Sequence, residues 1–186
     1  DAPTIFQING PVGYQSWKDY CLDLKDTELY NHLLDKSLAV TSGEGVYGIP
    51  YAVEGYGIIY NDEIMQKYFA LSNKKTDVNS ADEINNFEKL KAVVEDMEAN
   101  KDALGIQGVF ASTSMAGNAW RWETHLANLP LYYEFKDDAG ENGDVIQTGI
   151  DAKEIDFKYN ENYKNIYDLY TDNSVSEKGI LGNKSV

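Results

Sequence analysis

The chain has 186 residues, 42% of them hydrophobic, enough apolar material for one good core or for a modest core in two pieces. Its 31 acidic against 16 basic residues set a net charge of −15, which argues against nucleic acid and anionic lipid as partners, since both reward basic patches. One cysteine, Cys21, rules out an internal disulfide, and no apolar run reaches the roughly 18 residues a membrane span needs.

In chain order, residues 3–8 read as a short strand, the glycines and proline of "NGPVG" as a turn, and residues 14–20 as a helix. Cys21 lies in "WKDYCLDL", an aromatic and aliphatic setting that predicts a buried, inert thiol. His32 and His125 are the only histidines, so a Cys–His pair has little support. Next, Asp26 or Thr27 offers a cap for a helix with Leu29, Leu33 and Leu34 at helical spacing, and "TSGEG" (41–45) makes a turn. Residues 46–61, "VYGIPYAVEGYGIIYN", carry one charge, Glu54, between two apolar ends. They read as a nearly fully buried strand with a polar, glycine-flanked break. An unpaired buried carboxylate is costly, so Glu54 is expected to reach a cavity, water or a ligand. A turn residue in solvent is the other reading.

"DEIMQKYFAL" (62–71) reads as a short amphipathic helix, and "SNKKTDVNS" (72–80) as a polar loop without a core. Ser80, with Glu83 three residues later, forms a capping box for a long helix whose apolar face is Ile84, Phe87, Leu90, Val94 and Met97. "NKDALG" ends it, and residues 106–111 read as a buried strand. "STSMAGN" (112–118) is a small-residue loop, and a helix starting at Asn118 or a neighbour runs to about Leu129. Residues 136–144 form a turn; its "DDAGENGD" lacks calcium-loop spacing and reads as solvated. Residues 160–172 form a last amphipathic helix with Tyr163, Ile166, Tyr167 and Tyr170 on one face. Strands alternating with helices predict an α/β fold. No internal repeat or low-complexity tract is present.

No phosphate-cradling glycine loop, HExxH or G-x-S-x-G motif occurs, and nothing singles out a pair of catalytic carboxylates. The informative set is aromatic: Trp17, Tyr51, Tyr56, Trp120 and Trp122. Sugar rings stack their C–H faces on flat side chains while their hydroxyls take hydrogen bonds from Asp, Glu, Asn, Gln and Arg. "NAWRW" supplies both, with Asn118 ahead of Trp120, Arg121 and Trp122. On a regular helix Trp120 and Trp122 lie about 200° apart and cannot both face a ligand. Trp120 is assigned to the ligand and Trp122 to the core, with both in the core as the alternative. Gln7, Asn9 and Gly10 lie at the carboxyl end of the first predicted strand, where open α/β sheets bind ligands. A cap or turn role for Asn9 competes with that reading. Ser112, Thr113 and Ser114 follow another predicted strand; they line a rim or are simple loop residues.

"YGIPYAVEGYGIIYN" followed by "DEIMQKYF" resembles the hinge-crossing segment of extracellular solute-binding proteins of sugar ABC transporters, the maltodextrin-binding-like family 1. "PTIFQINGPVGYQSW" (3–17) resembles a first-lobe strand ending at the cleft rim, "LDLKDTELY" (22–30) the loop and helix after it, and "NAWRWETHLANL" (118–129) the second-lobe aromatic helix facing the ligand. The resemblance implies a type II periplasmic-binding-protein-like α/β fold, of which this chain is an internal fragment. Residues 1–52 would be a portion of the N-terminal lobe and 53–186 most of the contiguous C-terminal lobe segment, with the hinge crossing near 50–58. It implies a ligand-facing acid at Glu54 beside Tyr56, first-lobe contacts at Gln7, Asn9 and Gly10, and second-lobe contacts at Ser114, Asn118, Trp120 and Arg121. Gln7 falls where a stacking aromatic often sits in maltodextrin binders, so a stacking contact becomes a hydrogen bond. The function implied is an extracytoplasmic receptor, periplasmic or lipid-anchored at the cell surface, delivering an oligosaccharide to the membrane permease of an ABC importer. It would close on its ligand by a hinge, without cofactor, metal or catalysis. A carbohydrate-active enzyme or surface carbohydrate-binding module, with Glu54 as a catalytic carboxylate, is the second reading. A structural or adhesive surface protein is the third.

Overall fold

Residues 3–55, 57–111 and 120–175 are described by the computed structural model, with the side chain of Arg121 left out. Along the chain they fall into two units, one ending at Gly57 and the other beginning at Ile58.

In the first unit residues 3–8 form no strand. Among the described residues no neighbour takes their backbone N–H and C=O groups, and a strand exists only by such pairing. Gly10, at φ +62°, opens a helix over Gly10–Trp17 with Pro11 in its first turn, where a missing N–H is harmless. It therefore begins earlier than the expected 14–20, and a 3₁₀ turn, Lys18–Tyr20, follows. Cys21 is half-buried rather than buried, its thiol donating to the Trp17 carbonyl at 3.3 Å. Thr27 is the cap chosen, accepting from Tyr30 N–H, but its helix is one turn, Glu28–Asn31, and Leu29 and Leu34 are exposed. The turn at 41–45 closes a hairpin, β1 (Val40–Ser42) against β2 (Gly45–Gly48), antiparallel, with Gly43 at φ +57°. Tyr14 stacks on Tyr47 at 4.8 Å, and the Asp23 carboxylate accepts from Val46 N–H and Lys25 N–H, each at 3.0 Å. Those two donors hold the Asp23 carboxyl below its ordinary pKa.

The strand expected over 46–61 stops at Gly48. Beyond it Tyr51, Val53, Ile58, Ile59 and Tyr60 are exposed. Val, Ile and Tyr favour a strand only where a sheet surrounds them, and among the described residues none pairs with this stretch.

The second unit is built on a core of Met65, Tyr68, Val78, Val93, Met97 and Leu104. Asn61 caps the expected helix, Asp62–Phe69. The 72–80 loop, expected to lack a core, contributes Val78, only 2% exposed. Its backbone is gathered by Lys74, whose ammonium donates to the Thr76 and Val78 carbonyls and to Asn79 Oδ1. The buried Asp96 carboxylate accepts from Lys75 N–H (2.8 Å), Tyr68 OH (3.0 Å) and Asn100 Nδ2 (3.1 Å). The capping box is not used. Ser80 makes no cap bond, Glu83 accepts from Asn79 N–H, and a 3₁₀ turn covers Ala81–Glu83. The long helix is Phe87–Ala99, capped by Asn86, which accepts from Lys89 N–H. After it comes Lys101–Leu104, ended by Gly105 in the left-handed region at φ +70°.

Residues 106–111 reduce to one parallel bridge, Phe110 with Ser174, supported by Val109 and Phe110 N–H groups on the Asn173 carbonyl. A wide π turn, Arg121–Leu126, leads into a helix, Asn128–Ala139. That helix passes the expected end near 129 because Pro130 falls in its first turn. The expected turn thus shrinks to 140–144. An unforeseen helix, Val145–Asp151, is capped by Asp144 and packs Gly149 against Phe135. Buried Glu134 accepts from Asp156 and Lys158 N–H groups, at 2.7 and 2.9 Å, and so holds the 152–159 loop. The final helix, Asn160–Asp172, has the expected bounds. Roughly half the described residues are helical and their sheet is small, a composition compatible with α/β.

Candidate functional site

Tyr163, Tyr167 and Tyr170 recur at four- and three-residue spacing, so the final helix presents them on one face. Tyr163 stacks on Tyr167 at 6.2 Å, and burial, aided by Tyr167 and Glu123, pushes its hydroxyl above the usual pKa. Trp122 lies edge-on to Tyr167 (5.1 Å, 69°) and Tyr170 (4.8 Å, 76°) and is 6% exposed. Tyr170 also stacks on Phe110 at 5.0 Å and donates its hydroxyl to the Ala111 carbonyl at 3.0 Å.

Trp120 sits on the other side of the same turn, 44% exposed, its ring edge-on to His125 at 4.8 Å. Thr124 Oγ1 donates to its carbonyl. Two residues' separation sends the indoles to opposite sides, Trp122 inward and Trp120 outward, as helical spacing predicted. Trp120 is a flat apolar face on a turn backed by packed aromatics, which suits stacking against an apolar ring face.

In the first unit Glu54 is exposed, and among the described residues it has neither a hydrogen bond nor an ion pair. The cost of an unpaired buried carboxylate therefore does not arise, because the segment around it is not buried. Gln7 and Asn9 are exposed and Gly10 is half-buried. They do not end a strand; they lead into the Gly10–Trp17 helix. The Asn9 carbonyl accepts from Gly13 N–H, but its side chain makes no cap bond, so capping does not account for it. Phe6, beside Gln7, lies 5.5 Å from the Trp17 ring.

Tyr56, Ser112, Thr113, Ser114 and Asn118 lie outside the described residues, as does the Arg121 side chain. Sequence reasoning did not connect Tyr167 and Tyr170 to the tryptophans. Their spacing was visible, but their partners lie more than forty residues away. Among the described residues no group of three or more His, Cys, Asp or Glu side chains is placed to hold a metal, and no helix is long and apolar enough to cross a membrane.

The family model of bacterial extracellular solute-binding proteins matches residues 1–182. No curated protein and no solved structure matches the chain. The family match covers nearly the whole sequence and indicates no catalytic family: the chain belongs to the bacterial extracellular solute-binding proteins.

Proposed function

We propose that the protein is the extracytoplasmic sugar receptor of an ABC importer and delivers an oligosaccharide to the membrane permease. The observation that carries this reading is Trp120, an outward indole on a turn whose inward side is occupied by Trp122. An aromatic face held this way offers a sugar ring a platform that needs little ordering on binding. Glu54, Gln7 and Asn9 in the other unit are exposed polar groups free to take sugar hydroxyls. Tyr56, Gly10, Ser114, Asn118 and Arg121 complete the proposed ligand set. In this reading the protein is a type II binding protein whose ligand is held between two lobes that close by a hinge near residues 50–58, giving the permease a closed shape to read. The polar groups orient the sugar, and no bond is made or broken.

Calorimetric titration of the full-length protein against a panel of oligosaccharides tests this. The expected result is saturable binding at micromolar or tighter affinity with the sugar recovered intact. The Trp120→Ala variant is expected to bind more than about tenfold more weakly, the loss of one stacked aromatic contact at a desolvated site. No heat across the panel would remove oligosaccharides as the ligand class.

A further inference from the structure

We propose that Tyr170 is a positioning residue for Trp120, an assignment that rests on Trp120 being the sugar platform. One side chain fastens two separate stretches of chain. Its ring stacks on Phe110 and meets the edge of Trp122, while its hydroxyl holds the Ala111 carbonyl. It stands on a firm base. Leu169 beside it is buried, and Asn173, at the end of the same helix, donates its Nδ2 to the Leu169 carbonyl. The Asn173 carbonyl in turn accepts from Val109 and Phe110 N–H groups. The final helix and the 109–111 stretch are thereby tied together by bonds other than those of Tyr170.

Trp122 cannot turn without leaving the edges of both Tyr167 and Tyr170. Trp120 lies two residues earlier on the same turn, and its carbonyl is held by Thr124. Fixing Trp122 therefore fixes the backbone that aims the Trp120 indole. Stacking on a sugar depends on the plane of the ring, so a platform free to tilt would lose affinity in becoming ordered. The ring and the hydroxyl of Tyr170 have separable duties. The ring seats Trp122, and the hydroxyl ties down Ala111.

The test uses the full-length protein labelled with 5-fluorotryptophan, its resonances assigned by replacing each tryptophan with phenylalanine in turn. In Tyr170→Leu the Trp120 resonance is expected to shift or broaden together with that of Trp122; in Tyr170→Phe, which keeps the ring, it is expected to stay. A Trp120 resonance unmoved in Tyr170→Leu while that of Trp122 moves would reduce Tyr170 to a packing residue. Should Tyr170→Leu not fold, Tyr170→Met, which fills a similar space with a flexible chain, takes its place with the same two outcomes.

Titration with maltotriose and cellotriose is the second readout. Tyr170→Leu is expected to bind about tenfold more weakly, the cost of ordering a freed Trp120 platform on binding, and Tyr170→Phe, which keeps the ring, within about threefold of wild type. Wild-type protein that binds neither sugar excludes these two trisaccharides as ligands and leaves the fluorine spectra to decide Tyr170. Wild-type protein that binds, with Tyr170→Leu binding equally well, overturns the role of Tyr170 alone.

Discussion

Tyr68 places a hydroxyl at the centre of the second unit, where it meets Thr76 Oγ1 at 2.7 Å and donates to the Asp96 carboxylate at 3.0 Å. Burial, with the Asp96 carboxylate adding to it, pushes its pKa from 10.0 to about 12. Because the folded value is raised, the neutral phenol's contribution to stability is complete below the ordinary value and is lost as pH rises from 10.0 toward about 12. Tyr68→Phe is expected to cost about 1–3 kcal/mol at neutral pH, since it removes a donor from a buried carboxylate. It should also lose less stability than wild type on passing from neutral to strongly alkaline pH. Thermal unfolding at both pH values checks this; equal alkaline losses would remove Tyr68 as the titrating group. Residues 62–71 read as an amphipathic helix, but nothing near Tyr68 in sequence announced Asp96, 28 residues on. Glu54 is the converse. It stood out as the only charge in an apolar run, yet it is exposed, while Asp96 and Glu134 are the carboxylates buried among the described residues of the second unit. Composition marks a residue as unusual among its neighbours in sequence, and burial depends on neighbours in space.

Among the elements, helices were legible where the apolar spacing was clear. Asp62–Phe69 and Asn160–Asp172 appear as expected because each carries its apolar face within its own residues. The long helix shows how two valid caps compete. Ser80 with Glu83 matches a capping box, but Asn86 is the residue whose side chain accepts the free N–H. Asn86→Ala is therefore expected to cost about 1 kcal/mol and Ser80→Ala less than about 0.5 kcal/mol, measured by denaturant unfolding. The reverse order would restore the earlier helix start. Strands were less legible. Residues 3–8 and 106–111 have strand-like composition, yet the first is unpaired among the described residues and the second makes one bridge. A helix closes its hydrogen bonds internally, whereas a strand depends on a partner that local sequence does not name.

Across the molecule, burial is unequal between the units. Among the described residues the first buries Tyr14 and Val46 of its apolar side chains; the second buries Met65, Tyr68, Val78, Val93, Val94, Met97, Leu104, Trp122 and Leu169. Local opening is easiest where apolar contacts are few and backbone groups lack partners. Hydrogen exchange read by mass spectrometry is expected to be slowest across Val93, Val94 and Met97 and fastest across 49–61, where no described backbone N–H is bonded. Protection of 49–61 equal to that of the long helix would show that the segment is a buried strand after all.

The class of protein was already legible in the order of residues. Motif order along nearly the whole chain pointed to an extracellular solute-binding protein, and the family match over residues 1–182 agrees, carrying with it a periplasmic-binding-protein-like fold. Helix faces were also legible from periodicity, which separated the two tryptophans without deciding which of them turns inward. Folding in three dimensions was needed to settle which carboxylates are buried and that Tyr170 joins Ala111 to Trp122. Those outcomes depend on side chains tens of residues apart meeting in space, and a contact between distant residues leaves no period in the sequence to read.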